Sequence, residues 1–106
     1  MIAYICGKIS DNNNYAEDFE KAEMWLKLKG YDVFNPAKIA NEMLFLSYKQ
    51  HMQVDFKLIE LSDCVFMLHN WQESKGAIAE IHYAKALRKK VLYQDYFGRK
   101  NNNAEM

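Results

Sequence analysis

The stretch "DCVFMLHNWQESKGAIAEIHYA", Asp63 to Ala84, decides the fold of this chain. After Asp63 its next five residues, Cys64 to Leu68, are an apolar run without polar alternation, as in a strand covered on both faces. Helical spacing then takes over, with Ile78, Ile81, Ala84 and Leu87 on one side of a segment from Lys75 to Lys89. A buried strand feeding an amphipathic helix is half of a βαβ unit, and the rest of the chain repeats the pattern.

Ile2 to Cys6 is a second continuous apolar run and reads as the first strand. From Tyr15 to Lys29, Phe19, Ala22, Trp25, Leu26 and Leu28 recur at helical spacing, and Gly30 stands where a helix C-terminal glycine belongs. One of Asn12 to Asn14 is expected to cap that helix. Tyr31 to Phe34 reads as a short strand stopped by Asn35-Pro36, because proline holds the preceding residue extended. Ile39 to Leu61 is helical by period, in one piece or two, and Lys90 to Tyr93 is a last strand. Alternation of this kind predicts an α/β, flavodoxin-like or Rossmann-like three-layer sandwich. Its parallel sheet has four or five strands in the order 2-1-3-4. One domain over residues 1–94 accounts for the chain, with an irregular tail over 95–106 containing Asn101 to Asn103.

Composition removes several classes of function. Lys plus Arg and Asp plus Glu are both 14, so no global field draws the chain to a nucleic-acid polymer or an anionic membrane. No apolar run reaches the roughly 20 residues of a membrane helix, and the amino terminus lacks a signal-peptide pattern, so a cytoplasmic protein is expected. Cys6 and Cys64 stand alone within apolar surroundings, and His51, His69 and His82 are scattered. That spacing suits buried reduced thiols, and no metal or redox cofactor is expected.

In parallel sheets of this order the site lies beyond the carboxyl ends of the strands, where the strand order reverses. The residues brought there are Gly7 to Ser10, Asn35-Pro36 and His69 to Gly76. Gly7-Lys8 after an apolar run looks like the end of a P-loop, yet Ile2 stands five before Gly7 and Ile9 follows the lysine, so the triphosphate motif fails. Ser74-Lys75-Gly76-Ala77 opens a helix whose free amides and dipole suit one phosphate or carboxylate. Ser74 reads equally as a plain N-cap. Glu80, among Ala77, Ile78, Ala79, Ile81 and Ala84, is either a desolvated nucleophile or base, or a surface glutamate paired with a lysine. Asp55 lies roughly 12 Å back along its helix from Asp63, toward the same edge. It is a second candidate acid or a surface aspartate. Tyr4, within the first strand, either reaches Glu80 or is a core aromatic. Two convergent carboxylates are the equipment of a retaining glycosidase.

At these residues the chain resembles the nucleoside 2-deoxyribosyltransferase superfamily. The likeness is carried by "YICGKIS" at Tyr4 to Ser10, Asp55, "SDCVFML" at Ser62 to Leu68, and Ser74-x-Gly76-x-x-x-Glu80, and it spans Ile2 to Leu92. It is nearest to small phage and bacterial proteins with "NP" after the second strand and "W-x-x-S-x-G-A-x-x-E" after the third, and to hydrolases of deoxynucleoside 5'-monophosphates. The resemblance implies that Glu80 attacks C1′ and forms a glycosyl-enzyme, that Asp55 protonates or holds the leaving base, and that Tyr4 orients Glu80. The transferases carry an aspartate at the position of Ser74, whereas the nucleotide hydrolases carry a serine that binds phosphate, which points to a 5'-phosphorylated substrate. Lys8 adds a charge there, although the hydrolases usually hold an arginine in a loop where this chain has Ser10. Asn70 and Trp71 would hydrogen-bond or stack on the base, or Trp71 would pack at a subunit contact. For this chemistry Asp55 must keep its proton while Glu80 stays charged, and unequal burial is the expected means.

The expected function is therefore an N-glycosidic hydrolase or 2-deoxyribosyltransferase-like enzyme on a nucleoside or its 5'-monophosphate, assembled as a homo-oligomer. The rival is a nucleotide-binding or sensor module of the same fold without turnover. A partner-binding protein using Tyr93, Tyr96 and Phe97 is the third reading. A receiver domain is excluded, because Cys6-Gly7-Lys8 and Leu68-His69-Asn70 stand where acidic residues would be required.

Overall fold

The computed structural model describes residues 1–94. The expected irregular tail, with Asn101 to Asn103, and the proposed interface aromatics Tyr96 and Phe97 lie outside those residues. Four strands, β1 (Ile2–Cys6), β2 (Asp32–Phe34), β3 (Cys64–Met67) and β4 (Lys90–Tyr93), form one sheet in the order β2-β1-β3-β4. All neighbours are parallel, with Tyr4 opposite Phe34 on one side and Val65 on the other. The sequence-derived fold class and strand order therefore hold, with four strands among the described residues.

Apolar runs fill both faces. Ala3 and Ile5 of β1 pack with Phe66 and with Phe19, Ala22 and Leu26 of helix α1 (Tyr15–Leu28). Tyr4 and Cys6 point to the other face, where they meet Ile59 of helix α3 (Tyr48–Leu61) and Ala77, Ile81 and Ala84 of helix α4 (Lys75–Ala86). Period-two alternation of the central strand thus assigns α1 to one layer and α3 with α4 to the other.

The helix boundaries differ from expectation for local reasons. The span from Ile39 to Leu61 is broken, because helix α2 (Pro36–Glu42) starts earlier and ends at Met43. Pro36 occupies its first turn, and the Asn35 side chain accepts from the amides of Ala37 and Lys38. Asn35-Pro36 is thus a helix start as well as a strand stop. Ser47 and Gln50 form a reciprocal capping box that opens α3. Asn14 holds the N-cap position of α1 without a side-chain bond. Asn12 instead laces that loop, accepting from the Asn14 amide and donating to the Lys8 carbonyl and Asp18. Gly30, at φ +94°, closes α1 with Tyr31 N–H on Leu26 O and Gly30 N–H on Lys27 O, the Schellman pair. Helix α4 ends at Ala86 rather than Lys89 by the same pair of bonds, but there Arg88 takes the left-handed position, at φ +61°.

Candidate active site

A cavity of about 630 Å³ opens at the carboxyl edge of the sheet, bounded by the loop after β1, α2, α3 and the first turns of α4. That volume is of the order of a small-molecule site. Its floor is Glu80, which is 6% exposed although it is a glutamate. Each of its oxygens has a donor from β1: the Tyr4 hydroxyl donates to Oε2 at 3.0 Å and the Cys6 thiol to Oε1 at 3.1 Å. Two residues apart on a strand, Tyr4 and Cys6 share a face, and this registers both donors on one carboxyl. Asp55, half-buried on α3, lines the same cavity and stands near enough to Glu80 and the Tyr4 hydroxyl to interact with both. Tyr4, Asp55 and Glu80, each a candidate from the sequence, are brought into one cluster by the fold.

Burial pushes Glu80 well above the usual carboxylate range, the charge of Asp55 adds to the shift, and the Cys6 and Tyr4 donors oppose it. Asp55 is also raised, first by burial, with its contacts to Glu80 and Tyr4 and the charge of His51 pulling the other way. Burial likewise raises the Tyr4 hydroxyl and Cys6 thiol, so both remain protonated donors. Two carboxyls in contact in such a site share a proton over a broad pH range and titrate as a pair. This corrects the expected means of separating them: burial alone favours the proton on Glu80, the deeper group, and the two neutral donors are what favour its charge.

The cavity mouth carries the anion-binding elements. Ser74 Oγ accepts from the Ala77 amide at 3.1 Å, so its capping role is realised. It also lines the cavity, beside Lys75, Gly76 and Ala77. Lys75 and Gly76, first in the helix, have amides without a helical partner. Gly76 sits under α3, since a Cβ there would lie 3.3 Å from the Tyr48 hydroxyl oxygen and 3.5 Å from Met52 Sδ. Gly7, Lys8 and Ser10 line the opposite wall with Pro36. Gly7 is required by packing, because a Cβ would meet Leu68 Cδ1 at 2.6 Å. Lys8 Nζ pairs with Glu73 at 3.4 Å, and its amide donates to Asn70 Oδ1 at 3.1 Å.

Three expected ligand contacts are placed differently. Asn35, Asn70 and Trp71 are not among the cavity-lining residues. Asn35 is buried as the α2 cap and donates to Glu23 at 2.9 Å. Asn70 anchors the loop of Lys8. Trp71 packs beneath the site with its ring 6.3 Å from that of Tyr93, which makes it a packing residue of the β3–α4 turn. Conversely, Tyr48, His51, Met52, Asp11 and Glu73 line the cavity without having been singled out. Tyr48, His51, Met52 and Asp55 stand at i, i+3, i+4 and i+7, so helical spacing from Asp55 was the available signal.

Among the described residues no group of three His, Cys, Asp or Glu is arranged to hold a metal ion. No helix among them is long and apolar enough to cross a membrane. No curated protein matches the chain. A family profile matches residues 1–93, and the chain belongs to that family, described as a domain of unknown function, DUF4406.

Proposed function

We propose that this chain cleaves the N-glycosidic bond of a nucleoside or nucleoside 5'-monophosphate, as a hydrolase or a 2-deoxyribosyltransferase-like enzyme. The observation that carries the reading is the buried Glu80 carboxyl, held by a donor on each oxygen and in contact with a second carboxyl. A Glu80 oxygen forms a bond to C1′ as the bond from C1′ to the base nitrogen breaks, and Asp55 gives its proton to the departing base. Water or a second base then attacks C1′, its proton passes to Asp55, and the ester bond to Glu80 breaks. A retaining pair works at a separation of about 5–5.5 Å. The sugar must therefore part Asp55 from Glu80 on entry, and the reaction needs the proton to leave with Asp55 while Tyr4 and Cys6 hold the charge of Glu80. The Lys75 and Gly76 amides, Ser74 and Lys8 would take a 5'-phosphate, in competition with Glu73 for the lysine.

One feature favours the rival reading, a binding module without turnover: Asp55 rests against Glu80, closer than the separation of about 5–5.5 Å that a retaining pair uses. Chromatographic release of free base from ribo- and deoxyribonucleosides and their 5'-monophosphates separates the two. The glycosidic reading expects release that disappears in Glu80→Ala. Absence of release from every substrate, with or without an acceptor base, would favour the binding module. The proposal includes a cytoplasmic homo-oligomer, for which Leu44 and Phe45, 79% and 81% exposed beside the Tyr48 wall, offer apolar surface. Sedimentation velocity tests the assembly, and a monomer at all concentrations would remove it.

A further inference from the structure

The donors on Glu80 are of two kinds. A tyrosine hydroxyl is an ordinary hydrogen-bonding group, but a buried cysteine usually fills space as a small hydrophobe. Cys6 does more than that. Its Sγ lies 3.1 Å from Glu80 Oε1 and 3.5 Å from the Ala77 carbonyl oxygen, and the residue is 1% exposed. Cys64 provides the internal comparison: it is 0% exposed, and its nearest acceptor is the Ile2 carbonyl at 3.8 Å, away from the cavity.

Resting on the glycosidic reading above, we propose that Cys6 is a positioning residue for the nucleophile: its thiol fixes Glu80 Oε1 as Tyr4 fixes Oε2. Both donors come from β1, which is hydrogen-bonded on each side, to β2 and β3, so the carboxyl is held by a strand of the sheet interior. A carboxylate with one donor on each oxygen has a defined plane, and a nucleophile held in its attack geometry avoids an orientational cost on reaction. The donors also favour the ionised carboxylate against burial and against Asp55. When either oxygen becomes bonded to C1′, the other keeps its donor, which stabilises the carboxylate re-formed in the second step. Oxidation of the thiol is not part of the role.

The charged and titratable groups facing Glu80 are Tyr4 and Cys6 from β1 and Asp55 from α3, with His51 acting on Asp55. At the cavity wall Lys8 is half-buried, Asp11, Glu73 and Lys75 are exposed, and none of the four is among the groups that shift Glu80. Removing the thiol therefore acts on Glu80 with few confounding charges. The test is ¹³C NMR titration of carboxyl-labelled glutamate in wild type, Cys6→Ala and Cys6→Ser, with the Glu80 signal assigned by its loss in Glu80→Gln. Base release is measured on the same samples.

The Glu80 midpoint is expected to rise by about half to one pH unit in Cys6→Ala, the size of one lost hydrogen bond to a carboxylate. It should return toward wild type in Cys6→Ser, whose hydroxyl can donate. The acidic limb of kcat should move with it, and kcat should fall roughly threefold to tenfold with KM little changed. Cys64→Ala should leave both readouts unchanged. An unmoved Glu80 midpoint in Cys6→Ala would overturn the proposal, and, if the alanine variant does not fold, so would fast exchange of the wild-type thiol proton, which a proton held on Glu80 would not show. A shifted midpoint together with no base release from wild type would support the thiol's hold on Glu80 and overturn the glycosidic reading instead.

Discussion

Two glutamates of this chain have nearly the same small exposure, Glu23 at 7% and Glu80 at 6%, but Glu80 is far more deeply desolvated and their chemistry is opposite. Glu23 is on α1 and Glu80 on α4, in layers on opposite faces of the sheet. Burial pulls Glu23 upward too, but Lys27 at 2.7 Å, Asn35 at 2.9 Å and Lys38 at 3.1 Å outweigh it and bring the group down to about 2. Among the described residues Glu80 has no cation in contact. Burial pushes it up first and the charge of Asp55 adds to the rise, while its neutral donors Cys6 and Tyr4 oppose it only in part. Low exposure alone does not mark a functional carboxylate; how deeply it is desolvated and the charge of its partners do. Glu23 ties α1 to the start of α2, while Glu80 is held ready to exchange a proton and a bond.

The largest test of this contrast is Glu80→Gln. Base release should fall by at least about a thousandfold, as for loss of a nucleophile. Stability should move the other way at neutral pH. Glu80 titrates higher in the folded chain than in the unfolded one, so folding binds a proton between those two values. Wild-type stability therefore declines as pH rises through that window, and the glutamine variant, which carries no charge, does not share the decline. Its Tm should exceed that of wild type at pH 7 to 8, with the gain vanishing below about pH 4. An unchanged Tm difference across pH would break the contrast.

Glu23→Gln should behave as the mirror image. Activity of the folded variant should be near wild type, while stability at pH 7 falls by roughly 2 kcal/mol, a drop in Tm of about 10 °C. Glu23 titrates lower in the folded state, so its contribution is complete above about pH 4.3 and is lost as pH falls toward about 2. Urea midpoints between pH 5 and 2.5 should therefore decline more steeply in wild type than in the variant.

Gly7→Ala probes the packing that places the β1 loop over Glu80. The added Cβ would lie 2.6 Å from Leu68 Cδ1 and 2.9 Å from its Cγ, which should cost about 1–3 kcal/mol. In a Leu68→Ala background most of that cost should disappear, and urea denaturation of the four-member cycle measures the coupling. The smallest effect compares the ends of the two helices that carry the glutamates. Gly30 closes α1 and Arg88 closes α4, both with positive φ. Arg88→Gly should raise stability by about 0.5–1 kcal/mol in thermal unfolding, because glycine adopts that conformation without strain.

The strands were legible in the sequence because a parallel sheet covered on both faces needs continuous apolar runs, and Ile2 to Cys6 and Cys64 to Leu68 are such runs. Glu80 was legible from the apolar residues around it on one helix. Glu23 sits among Phe19, Ala22 and Leu26 in much the same way, yet its partners Asn35 and Lys38 arrive from another element, so the helix pattern alone could not distinguish the two carboxylates. The break between α2 and α3 was written in Ser47-x-x-Gln50, a capping box inside an otherwise helical period. Asn35, Asn70 and Trp71 lie near the site in the chain but are used to cap, anchor and pack. Side-chain direction at the turns, which sequence position does not give, decided their roles.

Acid-quenched turnover followed by peptide mass spectrometry addresses the central claim most directly, using the panel of nucleosides and 5'-monophosphates. The account predicts a glycosyl increment on the peptide bearing Glu80, present in wild type, absent in Glu80→Gln, and removed by water or an acceptor base. Base release in wild type without that increment, and surviving in Glu80→Gln, would contradict it.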